Sequence, residues 1–167
     1  MPRPFEVSME SPATVEEVHG AFVDRDYWLD RLAHFGGAKS LDSLTVGPNG
    51  GVTVVVVEDL RHGALPGILA KLYRGDLNIR STETWTPTAD GLVRGDIDVA
   101  VIGAPGSGGG TAMLGPADEG SQLSLSGHVE FKVPLVGGKI EGFVAQQFIA
   151  GFADINTFTT TWIAERA

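Results

Sequence analysis

The chain has 167 residues, and 12 Lys and Arg against 21 Asp and Glu leave a formal net charge of −9. That length suits one domain spanning residues 1–167, able to bury about 70% of its unfolded surface and to enclose a cavity. Acidity without a basic stripe removes the counterion-release force that nucleic-acid binding needs, and the absence of cysteine removes disulfides, thiolate catalysis and zinc–thiolate sites.

Phe5 to Glu10 reads as a first strand, punctuated by Ser11-Pro12. Thr14-Val15-Glu16-Glu17 is a capping-box pattern opening a short helix through about Phe22. Asp24 caps a second helix, in which Trp28, Leu32 and Phe35 recur at helical spacing and Gly36-Gly37 supplies the stop. Leu41 to Val46 and Val52 to Leu60 flank Gly47-Pro48-Asn49-Gly50-Gly51, a hairpin signal. The β-branched run Val54 to Val57 belongs in a well-buried strand.

Ala64 to Tyr73 predicts one or two helical turns starting at Pro66. Leu77 to Trp85 alternates as a strand, Pro87 to Gly91 turns it back, and Leu92 to Ile102 is another strand. Gly103 to Gly110 is expected as a flexible tip from which Thr111 to Leu114 returns. After a turn over Gly115 to Gly120, Leu123, Leu125, Val129, Phe131 and Val133 fall on one strand face, and Ser124, Ser126, His128, Glu130 and Lys132 on the other.

Pro134 to Gly138 then leads into a helix ending near Trp162, about 40 Å long. Its apolar stripe is Ile140, Val144, Phe148, Ile155, Phe158 and Trp162. The order is one strand, two helices, further antiparallel strands and a long closing helix, with no βαβ alternation. This predicts an α+β fold in which a curved antiparallel sheet of six or seven strands wraps the last helix. Such a fold tends to be hollow.

No apolar run approaches the roughly 18 residues of a membrane span. The segment Met1 to Glu6 carries no apolar signal core, so the expected location is the cytoplasm.

The element order, with the stretches Phe5-Glu6-Val7-Ser8, Ser11 to Val15, Tyr27-Trp28-Leu29, Asp59 to His62, Thr82 to Trp85, Ala104 to Gly108 and Val133 to Glu141, resembles the START-like, helix-grip (SRPBCC) superfamily, which includes polyketide cyclases, plant allergen-type (Bet v 1-like) carriers and lipid-transfer domains. The chain is more similar still to DUF2505, an uncharacterised branch found mainly in actinobacteria. The resemblance rests on all of these stretches together. It covers nearly the whole chain. It implies the fold and leaves the activity open, because one fold hosts many functions.

Individual motifs point away from familiar catalytic machinery. A phosphate loop at Gly103 to Thr111 would need lysine where Gly109 stands and a hydroxyl at Gly110; the stretch is a hairpin tip, with a possible role as a lip over a cavity mouth. Asp59-Leu60-Arg61-His62 offers an acid, a guanidinium and an imidazole, which can move protons if they share a cavity. Neighbours in a strand point to opposite faces, so Arg61 pairing with Asp59 beside a solvated His62 is the plainer account. His19, His34, His62 and His128 lack metal-ligand spacing, and Ser107 lacks the context of a nucleophile elbow. No metal or cofactor is expected.

Leu77, Ile79, Ser81, Glu83 and Trp85 share a face, which either turns Glu83 inward to meet Arg80, Arg61 or a ligand, or turns it to solvent. Glutamate is rarely buried unpaired, which favours the outer face. Gly151 interrupts the stripe of the closing helix between Phe148 and Ile155. There it either opens a hollow or admits a bulky strand residue such as Phe131 or Trp85.

The reading is non-covalent binding of a hydrophobic small molecule (lipid, polyketide or isoprenoid) between sheet and closing helix. The candidate ligand-binding residues are Glu83, Trp85, Phe131, Val144, Gln147, Phe148, Gly151 and Ile155, with no catalytic residue assigned. Glu83, Arg80 and Gln147 would orient a polar end, and loops at Ala64 to Gly75 and Gly103 to Gly110 would gate entry. The alternatives are a cyclase, dehydratase or hydrolase of the same superfamily, using cavity acids and His62, and a protein-interaction module docking through the sheet face or the Trp28 helix.

Overall fold

The computed structural model describes residues 2–35, 38–59 and 77–167. Strand β1 (Arg3–Ser11) leads to helices α1 (Val15–Phe22) and α2 (Arg25–Phe35), followed by strands β2 (Ala38–Val46), β3 (Val52–Asp59), β4 (Asn78–Pro87), β5 (Val93–Ile102), β6 (Gly106–Ala117) and β7 (Gly120–Phe131). Helix α3 (Gly137–Glu165) ends the chain; its 29 residues span about 44 Å. The expected Gly36-Gly37 stop, the turns from Pro66, most of the Asp59 to His62 cluster and the Ala64 to Gly75 loop lie outside the described residues.

Local signals account for the element boundaries. The Thr14 hydroxyl accepts the Glu17 N–H at 3.1 Å while the Glu17 carboxylate accepts the Thr14 N–H at 3.0 Å, so two orphan donors of α1 are satisfied reciprocally. Asp24 accepts the Asp26 N–H at 2.9 Å where α2 begins. The β2–β3 hairpin closes through Gly47 N–H to the Gly51 carbonyl at 2.7 Å, with Gly50 at φ +82°.

All seven strands form one antiparallel sheet in the order β1-β7-β6-β5-β4-β3-β2. Strands β1 and β2 are its edges, and a register shift between Leu41 and Ser43 bends β2. Helix α3 lies against β1 and β7. This is the α+β helix-grip arrangement, with seven strands.

The Gly103 to Gly110 stretch differs from the expectation of a flexible tip. Only Gly103 to Pro105 turn; Gly106 to Gly110 belong to β6, paired with β5 on one side and β7 on the other. The glycines are there for close approach. A Cβ on Gly106 would stand 2.5 Å from the Phe131 ring, and one on Gly110 would stand 2.6 Å from the Ser126 carbonyl oxygen. The segment is a wall of the sheet, so it cannot be a lip.

Apolar side chains collect at the two ends of the concave side. At one end, α1 and α2 plug the sheet with an aromatic cluster. Tyr27 and Trp28 are fully buried, Phe22 lies 4.7 Å from Trp85, and Tyr27 meets Trp162 edge-on at 5.2 Å. Tilted and edge-on geometries favour the ring quadrupoles and add about 0.5–1.5 kcal/mol per pair beyond burial. At the other end Phe131 and Ile140 are buried against Val101, Val133, Val136 and Val144. Among the described residues, no helix is long and apolar enough to cross a membrane.

Candidate functional site

The stripe of α3 is buried at both extremes, with Ile140 3% and Trp162 8% exposed, yet Val144, Phe148, Ile155 and Phe158 between them are only half-buried. The middle of the helix therefore spans space that no side chain fills. A cavity of about 280 Å³ occupies it, at the small end of the usual range for ligand sites. Its floor is the middle of the sheet, including Val56, Ile79, Ser81, Ile97, Val99 and Leu125; its roof is α3 from Gln147 to Ile155, and its side is α2 with Trp28, Leu32 and Phe35.

Five of the eight residues singled out from the sequence line this space: Glu83, Gln147, Phe148, Gly151 and Ile155. Nothing stands within 4 Å of a Cβ built on Gly151, so neither Phe131 nor Trp85 packs there. The other three are elsewhere. Phe131 and Val144 belong to the apolar cluster beneath the start of α3. Trp85 is buried in the aromatic core and reaches the site indirectly, its indole N–H donating to Glu83 Oε1 at 3.2 Å.

Glu83 points inward, with its side chain 16% exposed, rather than to the outer face. The partner that makes this tolerable is Arg31 of α2, whose Nη2 lies 3.8 Å from Glu83 Oε2. Arg80 cannot serve, because strand alternation turns it outward; it pairs with Asp42 on the exposed side at 3.2 Å. A second pair, Lys39 with Glu58 at 4.0 Å, also borders the cavity.

Arg31 is the main polar feature that reading the sequence missed. Its guanidinium lies 4.5 Å above the Trp28 ring, a cation–π position, and Nη1 reaches the Tyr27 hydroxyl at 3.5 Å. Tyr27 is itself fixed by a 2.6 Å contact to Thr159, which donates to the Ile155 carbonyl at 2.8 Å. The signal was available: Arg31 follows Trp28 by three positions and so shares its helix face. Gly109 and Gly110 also line the floor.

Among the described residues no group of three or more His, Asp or Glu is placed to hold a metal. The arrangement leaves a mainly apolar space under α3 with charged and neutral polar groups on its lining.

A curved seven-stranded antiparallel sheet gripping a C-terminal helix is the helix-grip fold. The chain belongs to the DUF2505 family, described as proteins of unknown function, whose profile matches residues 6–163. It is 37% identical to an uncharacterized protein of Mycobacterium tuberculosis, and equally to one of Mycobacterium bovis, over 98% of both chains in each case.

Solved structures share the fold at lower identity. A Thermus thermophilus protein superimposes with a TM-score of 0.59 at 16% identity, covering 100% of this chain and 99% of that one. Ara h 8.0201 gives 0.59 at 15%, covering 99% of each chain. A Thalictrum flavum norcoclaurine synthase point mutant, in complex with a transition-state analogue, gives 0.58 at 15%, covering 99% and 96%.

Proposed function

We propose that this protein binds a small hydrophobic molecule non-covalently in the cavity between the sheet and α3. The observation that carries the reading is the open space at Gly151 beneath a half-buried apolar stripe. A well-packed core leaves few voids larger than a water molecule, and this one is lined mainly by aliphatic and aromatic side chains with a few polar groups among them. That composition suits a lipid, polyketide or isoprenoid body with one polar end.

Catalysis by a cyclase, dehydratase or hydrolase route ranks second. Its support is that carboxylates border the cavity and that a norcoclaurine synthase shares the fold. Against it, Glu83 and Glu58 both stand in ion pairs and the third carboxylate of the lining, Asp154, is exposed on α3, so among the described residues no paired acid and base face each other across the cavity.

An environment-sensitive apolar dye is expected to bind the purified protein, and native mass spectrometry to reveal co-purifying ligand. Gly151→Phe places a ring in the empty space and should abolish dye uptake while the far-UV circular dichroism stays that of the parent. Binding undiminished in a folded Gly151→Phe protein would remove the cavity from the reading.

A further inference from the structure

Arg31 and Glu83 form an ion pair that stops short of a hydrogen bond. Their 3.8 Å separation exceeds the 2.7–3.2 Å range of N–H···O bonds, although both side chains are largely buried, at 12% and 16% exposure. Each group is held from behind. Glu83 Oε1 takes the Trp85 indole N–H, which leaves Oε2 directed at the arginine. Arg31 is stacked on Trp28 and has one long 3.5 Å contact, to Tyr27, so among the described residues the donors on Nη2 are unspent. The two groups thus border the cavity with an open acceptor and an open donor side by side.

One oxygen lodged between them would have to accept from Nη2 and donate to Oε2. A hydroxyl does both; a carboxylate only accepts, and an ammonium only donates. Charge favours the same choice. Among the described residues, Arg31 pairs with Glu83 and Lys39 with Glu58, and the remaining charge on the lining, Asp154, is exposed on α3, so between Arg31 and Glu83 an anionic head would face Glu83 and a cationic head Arg31 with no counter-charge of their own. An unpaired charge in a low-dielectric site costs more than one hydrogen bond returns.

Resting on the binding reading above, we infer that the ligand is a neutral amphiphile whose hydroxyl head bridges Arg31 and Glu83, with its apolar body running toward Gly151. At about 280 Å³ the cavity is small for a ligand site, which suits a short-chain probe such as n-octanol.

Displacement of a bound apolar dye by n-octanol, n-octanoate and n-octylamine at neutral pH tests this. Octanol should compete at least about tenfold better than either charged analogue, a gap of about 1.4 kcal/mol. Glu83→Gln strips the negative partner and should shift the preference toward octanoate; Arg31→Gln should shift it toward octylamine. If dye binds the parent protein but the three analogues compete equally, or octanoate leads, the hydroxyl bridge is wrong and the apolar cavity stands. If dye does not bind at all, both fail. Should a variant not fold, the ranking on the parent protein still decides.

Discussion

The Glu141 carboxylate accepts the backbone N–H of Phe131 at 2.8 Å, and Glu141 is only 4% exposed. It sits in the first turns of α3 and ties that end of the helix to the last residue of β7. A buried carboxylate is tolerated where it meets a donor, and this contact fixes the angle at which the closing helix leaves the sheet. Glu141→Ala leaves the Phe131 amide unsatisfied and should cost about 1–3 kcal/mol, read as a lower urea midpoint with unchanged slope. Glu141→Gln keeps a carbonyl acceptor and should recover most of the loss; equal losses in both variants would mean that the contact contributes nothing specific.

Gly151→Ala is expected to stabilise the protein. The residue lies within α3, and an added Cβ meets nothing within 4 Å. The helix-propensity gain of about 0.5–1 kcal/mol therefore arrives without a steric penalty. A drop in thermal midpoint would show that the space beside this glycine is filled.

Gly110→Val should do the opposite. Its Cβ would fall 2.6 Å from the Ser126 carbonyl oxygen and 2.9 Å from the Gly127 Cα, both backbone atoms that cannot swing aside. Overpacking of this kind costs about 1–3 kcal/mol and would pry β6 from β7. A variant as stable as its parent, by chemical denaturation, would return this stretch to the status of a loose loop.

These two glycines mark how far the sequence could be read. The capping box at Thr14, the alternation from Leu123 to Phe131 and the stripe of α3 are local patterns, and each appears where those residues predict it. Gly106 to Gly110 carry no strand signal of their own; what holds them in β6 is the Phe131 ring and the β7 backbone, known only once the strands are paired. Glu83 shares a strand face with Ile79 and Ser81 by arithmetic, but that the face turns inward depends on α2 delivering Arg31. Phe131 and Val144 follow the periodicity of their strand and helix, but they pack outside the cavity. Whether they lie under the middle of α3 or its beginning is a matter of position along the axis, which periodicity does not encode.

Leu135 sits in the turn between β7 and α3 at φ +70°, with its side chain wholly exposed. A left-handed conformation costs a residue with a Cβ about 1–2 kcal/mol, and no burial offsets it. Leu135→Gly should therefore gain up to about 1 kcal/mol once the greater freedom of glycine in the unfolded chain is counted. A loss of stability by denaturant titration would show that the side chain makes a contact worth more than the strain.

The pairing of β1 with β7, from Arg3 opposite Val129 to Ser11 opposite Ser121, joins segments separated along the chain by all the other strands and two helices. On a ribosome β1 emerges long before β7 exists, and it must wait unpaired until the strands between them have been made. Contacts so distant along the sequence must be bought with loop-closure entropy before they return anything, and they slow folding. Refolding should accordingly run in milliseconds to seconds, with the sheet completed in its last step. During that wait the Phe5 and Val7 face of the first strand is the part of the nascent chain most exposed to aggregation and to chaperones.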